Sequence, residues 1–342
     1  MFKLFAVLVF MCLSHASEAS KVVLIIQPGS LLGYTSSLLL EELTKTLPQP
    51  LDANFDLIGG CSTGGIIASL MRVKDEFGNN KFSALDITEK YLGLGPIIFN
   101  PMLDRQQRTD ELKNALESSL GQVKLSSIRE PIAIFALKSK GVLDRDQIGK
   151  INQIDFDKTL VSLAEKKQQS LPPGHNFTKA EEEVQLLSLL IKARLETRQE
   201  LNRESFLFDN SYPVLLYQAV LASAAKGAFE PVHLAWDGSD GINTFDDAAG
   251  EGFDTTMATV AYAKKIFPGE DLVVIDIGIK ESNENVDYAL FLQKQFPDLT
   301  LRYFALTPEF KCDDFHMQYA GVQEFFQKNP DILNTVKTAI IK

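Results

Sequence analysis

The sequence has little of three things: cysteine, basic charge and long hydrophobic runs. Its 342 residues include three cysteines, too few for a disulfide-stabilised scaffold. Lys and Arg number 34 against 45 Asp and Glu, and this net charge of -11 argues against nucleic acid as a partner. Peripheral contact with a membrane stays open, because apolar residues are able to supply it.

The first nineteen residues differ from the rest of the chain. Lys3 precedes an apolar run of about ten residues, Leu4–Leu13, which is too short to span a bilayer. Small residues follow in Ser17–Ala19, at both positions that direct cleavage, so the segment is typical of a secretory signal peptide. We expect 1–19 to be removed and 20–342 to be exported, with a buried N-terminal strand or helix as the alternative.

Apolar runs that alternate with helical patterns indicate the fold class. The runs 22–26 and 272–277 are rich in β-branched residues, which is typical of strands buried on both faces of a parallel sheet. Helical spacing follows or precedes such runs, for example at 35–47 and 257–265. The alternation predicts a single α/β domain in three layers, with a mainly parallel central sheet between helices.

Residues 150–205 do not fit this alternation. The stretch is long and charged, and its one clear break is "LPPGHN" at 171–176. We interpret it as two helices joined by a loop, which form an insertion or flank of the same domain.

The segment "DLIGGCSTGG", residues 56–65, carries the chemistry. Its core matches G-x-S-x-G, in which Gly60 and Gly64 let a strained turn between strand and helix close and expose the hydroxyl of Ser62. No Lys follows to make a phosphate-binding loop, and the glycine spacing does not fit a dinucleotide site. The pattern predicts a nucleophile elbow at Ser62; a turn that only packs a helix against a strand is the alternative.

Two other residues compete for roles at this elbow. Cys61 comes one position before the apex, so we expect its side chain to point away from a substrate and to serve packing. Ser62 also needs a proton acceptor. The residues alone leave two choices, an Asp in the 240s acting directly or the same Asp acting through His316 in a Ser-Asp-His order.

Five stretches of the chain form an ordered set: KVVLIIQPGSLLGYTSSLLLEEL (21–43), FDLIGGCSTGGIIASL (55–70), YLGLGPIIF (91–99), AVLASAAKGAFEPV (219–232) and INTFDDAAGEGFDTTMATVAYAKKIFPGEDLVVIDIG (242–278). They resemble successive segments of the patatin-like phospholipases and leave mainly 150–205 uncovered. The resemblance implies a patatin-like fold and a lipid acyl hydrolase (a phospholipase A or esterase). Its substrates would be phospholipids or other acyl-ester lipids, and it would need no metal or cofactor.

The resemblance also assigns the base. Asp247, in Asp247-Ala248-Ala249, matches the family's catalytic Asp-Gly-Gly or Asp-Gly-Ala, whereas the adjacent Asp246 would point to the opposite face of a strand. A carboxylate held against a serine in a partly dry cleft becomes a stronger base, and the acid so formed protonates the leaving alcohol. This implies a Ser62–Asp247 dyad and an acyl-enzyme intermediate.

The oxyanion loop departs from the family's Asp-Gly-Gly-Gly-x-Arg-Gly. Pro28 has no N–H to donate, so the resemblance assigns the oxyanion hole to the backbone N–H groups of Gly29, Ser30 and Leu31. Leu32 replaces the usual basic residue, and the two alanines after Asp247 add Cβ atoms near the base. These changes fit a lipase of altered specificity, and they also fit a catalytically weak lipid- or protein-binding protein on the same scaffold.

Overall fold

The computed structural model describes residues 20–47, 50–139, 188, 203–225, 227–236, 239, 241–249, 253–279, 287–308 and 314–341. The expected signal peptide and nearly all of 150–205 lie outside the described residues. At the end of this stretch, Arg203 to Ser205 begin a strand rather than belonging to a helix.

An eight-stranded sheet forms the centre of the protein. The strands are β1 Lys21–Ile26, β2 Leu57–Cys61, β3 Ile132–Ser139, β4 Arg203–Phe208, β5 Val232–Leu234, β6 Asn243–Asp246, β7 Leu272–Ile277 and β8 Leu301–Leu306. Five of them run parallel in the order β3-β2-β1-β7-β8, while β4 and β6 run antiparallel to β3, and β5 pairs antiparallel with β6. The apolar runs form the middle of the sheet because residues without polar side chains tolerate burial on both faces.

Helices cover both faces of the sheet, and each face has its own hydrophobic core. The helices are α1 Gly33–Thr44, α2 Thr63–Arg72, α3 Ala84–Ile98, α4 Arg105–Leu120, α5 Leu216–Ala224, α6 Thr255–Ile266, α7 Tyr288–Gln295, α8 Phe315–Lys328 and α9 Ile332–Ile341. The larger core includes side chains from α1 to α5, α8 and α9, and the smaller one includes side chains from α6 and α7. In the described ranges, no helix has the length and hydrophobicity of a membrane-spanning segment.

This architecture confirms the predicted single α/β domain with a mostly parallel sheet between helical layers. The run at 272–277 is a strand over the same residues, and the helix expected at 257–265 spans Thr255–Ile266. The antiparallel strands β4 and β6 were not expected.

Strand β6 takes an unusual place in the sheet. Strand β2 pairs with β3 as far as Cys61 opposite Phe135, and β6 pairs with β3 from Leu137 opposite Asp246. At Leu137 the other edge of β3 pairs with β4, so β6 lies along the same edge of β3 as β2. Strand β6 is in line with β2 and runs towards its C-terminal end. The two pairs are two positions apart along β3, roughly 7 Å, with Ala136 between them. The end of β6 is thereby brought to the end of β2.

The C-terminal end of α2 is anchored by a buried arginine. The Arg72 guanidinium donates hydrogen bonds to the backbone oxygens of Asp52, Phe55 and Pro131 at 3.0, 2.9 and 3.1 Å. Burial lowers the pKa of Arg72 to about 10, so the side chain is still protonated at neutral pH. It ties α2 to the segments that precede β2 and β3.

We predict that Arg72→Met lowers the free energy of unfolding by about 3 kcal/mol, because two buried carbonyls and one partly buried carbonyl lose a charged donor. Urea denaturation measures the loss. The matched variant Arg302→Met, at an exposed arginine of β8, should change it by less than about 0.5 kcal/mol. Equal effects in both variants would contradict the anchoring role.

Candidate active site

The turn between β2 and α2 has the geometry of a nucleophile elbow. Ser62 lies between the strand and the helix with φ 54° and ψ -124°, in a region that non-glycine residues rarely adopt. A Cβ on Gly60 would lie 2.3 Å from the backbone carbon of Gly64, and one on Gly64 would lie 1.9 Å from the Ile26 oxygen. The two glycines therefore let α2 pass close to β2 and β1, as the motif predicts.

A serine that sequence reasoning did not single out supports this turn. Ser223, near the end of α5, is buried; its hydroxyl accepts a 2.8 Å hydrogen bond from the Ser62 backbone N–H and donates at 2.6 Å to the Phe135 oxygen. The contact links the elbow to α5 and β3. Ser223 lies within the patatin-like block 219–232, but the sequence of that block does not indicate that its partner is Ser62.

The candidate oxyanion loop lies beside the elbow. Ser30, with φ 49°, and Ser62 are the two non-glycine residues with positive φ in the described part of the chain. The Thr63 hydroxyl donates at 3.1 Å to the Ser30 oxygen and so joins the loop to the first residue of α2. Among the described residues, the backbone N–H groups of Gly29, Ser30 and Leu31 have no protein acceptor. Of these residues, Ser30 and Leu31 line the pocket next to Ser62.

Asp247 follows directly after β6, and both it and Ser62 line one pocket. Its backbone N–H donates at 3.0 Å to the Ala225 oxygen. Its Oδ1 accepts from the Ala249 N–H at 2.7 Å and from the Cys61 thiol at 3.4 Å. Among the hydrogen bonds between described residues, none joins the Ser62 hydroxyl to Asp247. The two groups thus line one pocket without the direct hydrogen bond that a dyad uses.

The residues around Asp247 clarify two expectations. Asp246 forms a 2.5 Å ion pair with Arg203 and does not line the pocket, whereas Asp247 does. The two adjacent carboxylates therefore lie in different environments. Ala248 and Ala249 are buried in the smaller core, and Ala249 supplies a hydrogen bond to the carboxylate. The added methyl groups therefore pack away from the substrate side.

Cys61 is a buried free thiol in the smaller core and is not among the pocket-lining residues. The side chain therefore points away from the pocket, as its position before the apex suggested. Burial, together with the charge of Asp247, raises the pKa of the thiol well above its ordinary value. Sequence reasoning missed its contact with Asp247.

The histidines described by the structure lie away from the pocket lining. His316 is exposed near the start of α8. His233 is exposed in β5, where its Nδ1 lies 3.0 Å from the Thr244 hydroxyl oxygen. The structure thus brings Asp247, and not His316, to the pocket of Ser62. In the described ranges, no group of His, Cys, Asp and Glu side chains has the arrangement of a metal site.

The pocket has a volume of about 430 Å³, within the range of small-molecule sites. It runs along α2 from Ser62 past Ile66 to Leu70, roughly 12 Å by the rise of an α-helix. The facing walls come from α3, through Leu94 and Ile98, and from α4, through Leu112 and Leu116. The two residues of each pair are four positions apart and so lie on one face of their helix. Its polar side chains include Ser30, Ser62, Thr63 and Asp247 at the elbow and Lys90 and Ser119 on α3 and α4.

Comparison with known proteins finds relatives among the patatins. No family model matches the chain. Curated relatives include Patatin group M-3 of Solanum tuberosum, 31% identical over 159 residues that cover 40% of each chain. Patatin-07 of the same species is 27% identical over 200 residues, and Patatin-17 of Solanum cardiophyllum is 29% identical over 196; each match covers 51% of this chain and 50% of the relative. The chain thus spans half or less of the length of these relatives.

We predict that iodoacetamide at pH 8 leaves Cys61 unmodified in the folded protein and alkylates it in guanidinium chloride. The raised pKa keeps the thiol protonated, and the thiolate is the reactive form. Peptide mass spectrometry measures the modification. A cysteine introduced by Met102→Cys, at an exposed position, is the positive control and should react in the folded protein. Rapid alkylation of Cys61 before unfolding would contradict its burial.

Proposed function

The chain is related to the patatins, and we propose that it is a lipid acyl hydrolase of esterase or phospholipase type. The observation that carries the proposal is the position of Ser62. It occupies a strained elbow at one end of a mainly apolar pocket that Asp247 also lines. Export by way of residues 1–19 belongs to the same proposal.

In this mechanism the Ser62 hydroxyl attacks the carbonyl carbon of an acyl ester, and Asp247 accepts the proton. Ser30 and Leu31 present backbone N–H groups to the oxyanion, and Gly29 precedes them in the same loop. Asp247 then protonates the leaving alcohol, and water releases the acyl group from Ser62. The mechanism requires the Ser62 hydroxyl and the Asp247 carboxylate to form a hydrogen bond when substrate binds, and catalytic hydrogen bonds commonly tighten in this way in the complex.

The pocket suggests the substrate class. An acyl chain bound at Ser62 would extend along α2 towards Leu70, between apolar side chains of α3 and α4. Burial of each methylene stabilises such a complex by about 0.8 kcal/mol. The alcohol or head group would remain at the Ser62 end of the pocket.

A second candidate function is a lipid-binding protein without efficient catalysis. Two observations favour it: Pro28 replaces a donor in the loop, and Asp247 Oδ1 already accepts two hydrogen bonds that do not come from Ser62. A third candidate, an esterase with a Ser-Asp-His triad, requires His316 to approach a pocket that it does not line.

We predict that a fluorophosphonate probe labels Ser62 in the folded protein. Labelling should be abolished in Ser62→Ala and slowed at least about a hundredfold in Asp247→Asn, the usual effect of removing a general base. It should persist in His316→Ala. Gel fluorescence and peptide mass spectrometry measure rate and site, with circular dichroism to verify folding.

The outcomes distinguish the hydrolase that uses Asp247 as its base from the lipid-binding protein and from the esterase with a Ser-Asp-His triad. Labelling that disappears in His316→Ala would favour the triad. A folded wild-type protein that does not react would contradict the hydrolase proposal and favour the binding protein.

We predict that Ala115→Trp shortens the acyl chain that the enzyme prefers. The indole would fill the pocket beside α4, and excluding about two methylenes should lower kcat/KM for a long-chain p-nitrophenyl ester roughly tenfold. The butyrate ester should lose much less. Lys113→Trp, on the exposed side of the same helix, is the matched control and should keep the wild-type preference. Parallel loss on all chain lengths would contradict the assigned path.

A further inference from the structure

A buried polar cluster lies where β1 and β7 end side by side. Asp276 of β7 is buried, and its Oδ1 accepts a 2.7 Å hydrogen bond from the side-chain amide of Gln27. The same amide donates at 2.7 Å to the Thr256 hydroxyl, which in turn donates at 2.7 Å to Asp276 Oδ2. The Tyr303 hydroxyl donates to the same Oδ2 at 2.8 Å. Both amide hydrogens of Gln27 and both oxygens of Asp276 are therefore used.

This cluster fixes the first residue of the oxyanion loop. The Gln27 backbone N–H donates at 2.9 Å to the Ile277 oxygen, so both its backbone and its side chain are tied to β7. A Cβ on Gly278 would lie 2.6 Å from the Gln27 Cβ, which shows how closely the two segments pack. Pro28 follows with a fixed φ, and the candidate donors of Gly29 and Ser30 come next.

We propose that Gln27 is a positioning residue for catalysis, held in place by Asp276. Its amide holds the start of the loop so that the N–H groups of Ser30 and Leu31 face the oxyanion formed at Ser62. The inference rests on the proposed function, because the loop has an oxyanion to bind only if Ser62 attacks an ester.

The direction of the hydrogen bonds in this cluster allows the proposal to be tested. Gln27, Thr256 and Tyr303 all donate to Asp276, so the cluster needs an ionised carboxylate. Burial raises the pKa of Asp276 to about 6, against the hydrogen bonds that favour its charged form, so it is ionised above that pH.

The other ionisable groups facing Asp276 lie on three elements. Tyr303 belongs to β8; Asp254, at the start of α6, adds a negative charge and accepts a hydrogen bond from Tyr288 of α7. No described cation is among the groups that shift the pKa of Asp276. The described partners of the Gln27 amide are Asp276 and Thr256, so a second carboxylate at position 27 would meet a negative charge and a hydroxyl group.

The experiment compares fluorophosphonate labelling of Ser62 at pH 6.5 and pH 9. In Gln27→Glu, the two carboxylates share a proton at the lower pH and repel each other at the higher one. We expect labelling of this variant to fall roughly a hundredfold at pH 9 relative to wild type, as misplacing a catalytic group by about 1 Å can do. The wild-type rate should show no such alkaline fall.

Reversing the polarity of the pair should rescue the rate. In Gln27→Glu/Asp276→Asn, the new amide nitrogen donates to the new carboxylate, and its oxygen still accepts from Thr256 and Tyr303. This double variant should regain at least a tenth of the wild-type rate at pH 9. If Gln27→Glu does not fold, Gln27→Met, which lacks both donors, takes its place and should label about tenfold more slowly at both pH values.

The matched control is Asn210→Asp, at the opposite end of the sheet. Asn210 also uses its amide, donating to the Ile128 and Glu130 oxygens, so this variant tests the general cost of exchanging an amide for a carboxylate. It should unfold at a lower temperature without an alkaline fall in labelling. A Gln27→Glu profile that matches wild type, or an equal alkaline fall in Asn210→Asp, would overturn the inference alone. Absence of labelling in folded wild type would overturn the proposed function together with it.

Discussion

The candidate site depends on one steric constraint, the close approach of α2 to the ends of β1 and β2. A side chain at Gly64 would collide with the Ile26 oxygen, and one at Gly60 would collide with Gly64. Without this approach Ser62 would not be held at positive φ, and α2 would not begin beside the loop that follows β1. The strain at Ser62 persists because strands and helix over-determine it, with Ser223 holding its backbone N–H.

Local patterns were sufficient for part of the parallel sheet and for the elbow, whereas β8 was not predicted. The run at 272–277 predicted β7 correctly because full burial on both faces demands an uninterrupted apolar sequence. The spacing of Gly60, Ser62 and Gly64 predicted the turn because its steric needs fall within a few residues. The resemblance to patatins, which the curated relatives support over 40–51% of the chain, supplied the order of the remaining segments.

The position of Asp247 could not be derived from local pattern. It depends on β6 taking over the edge of β3 beyond the end of β2, which is a long-range pairing of a four-residue strand. Such a strand is too short to show alternation of polar and apolar residues. The contacts of Ser223 with Ser62, and of Cys61 with Asp247, were missed for the same reason, since each joins residues more than 150 positions apart.

The unusual oxyanion loop and the buried cluster beneath it form one arrangement. A glutamine at position 27 suits a carboxylate at position 276, since an amide donates where a second carboxylate would repel. Pro28 removes a donor but restricts the backbone directly after this anchored residue. Thr63 then fixes the far side of the loop through the Ser30 oxygen. The loop is therefore held at both ends while the N–H groups between them have no protein acceptor among the described residues, which is the arrangement an oxyanion hole requires.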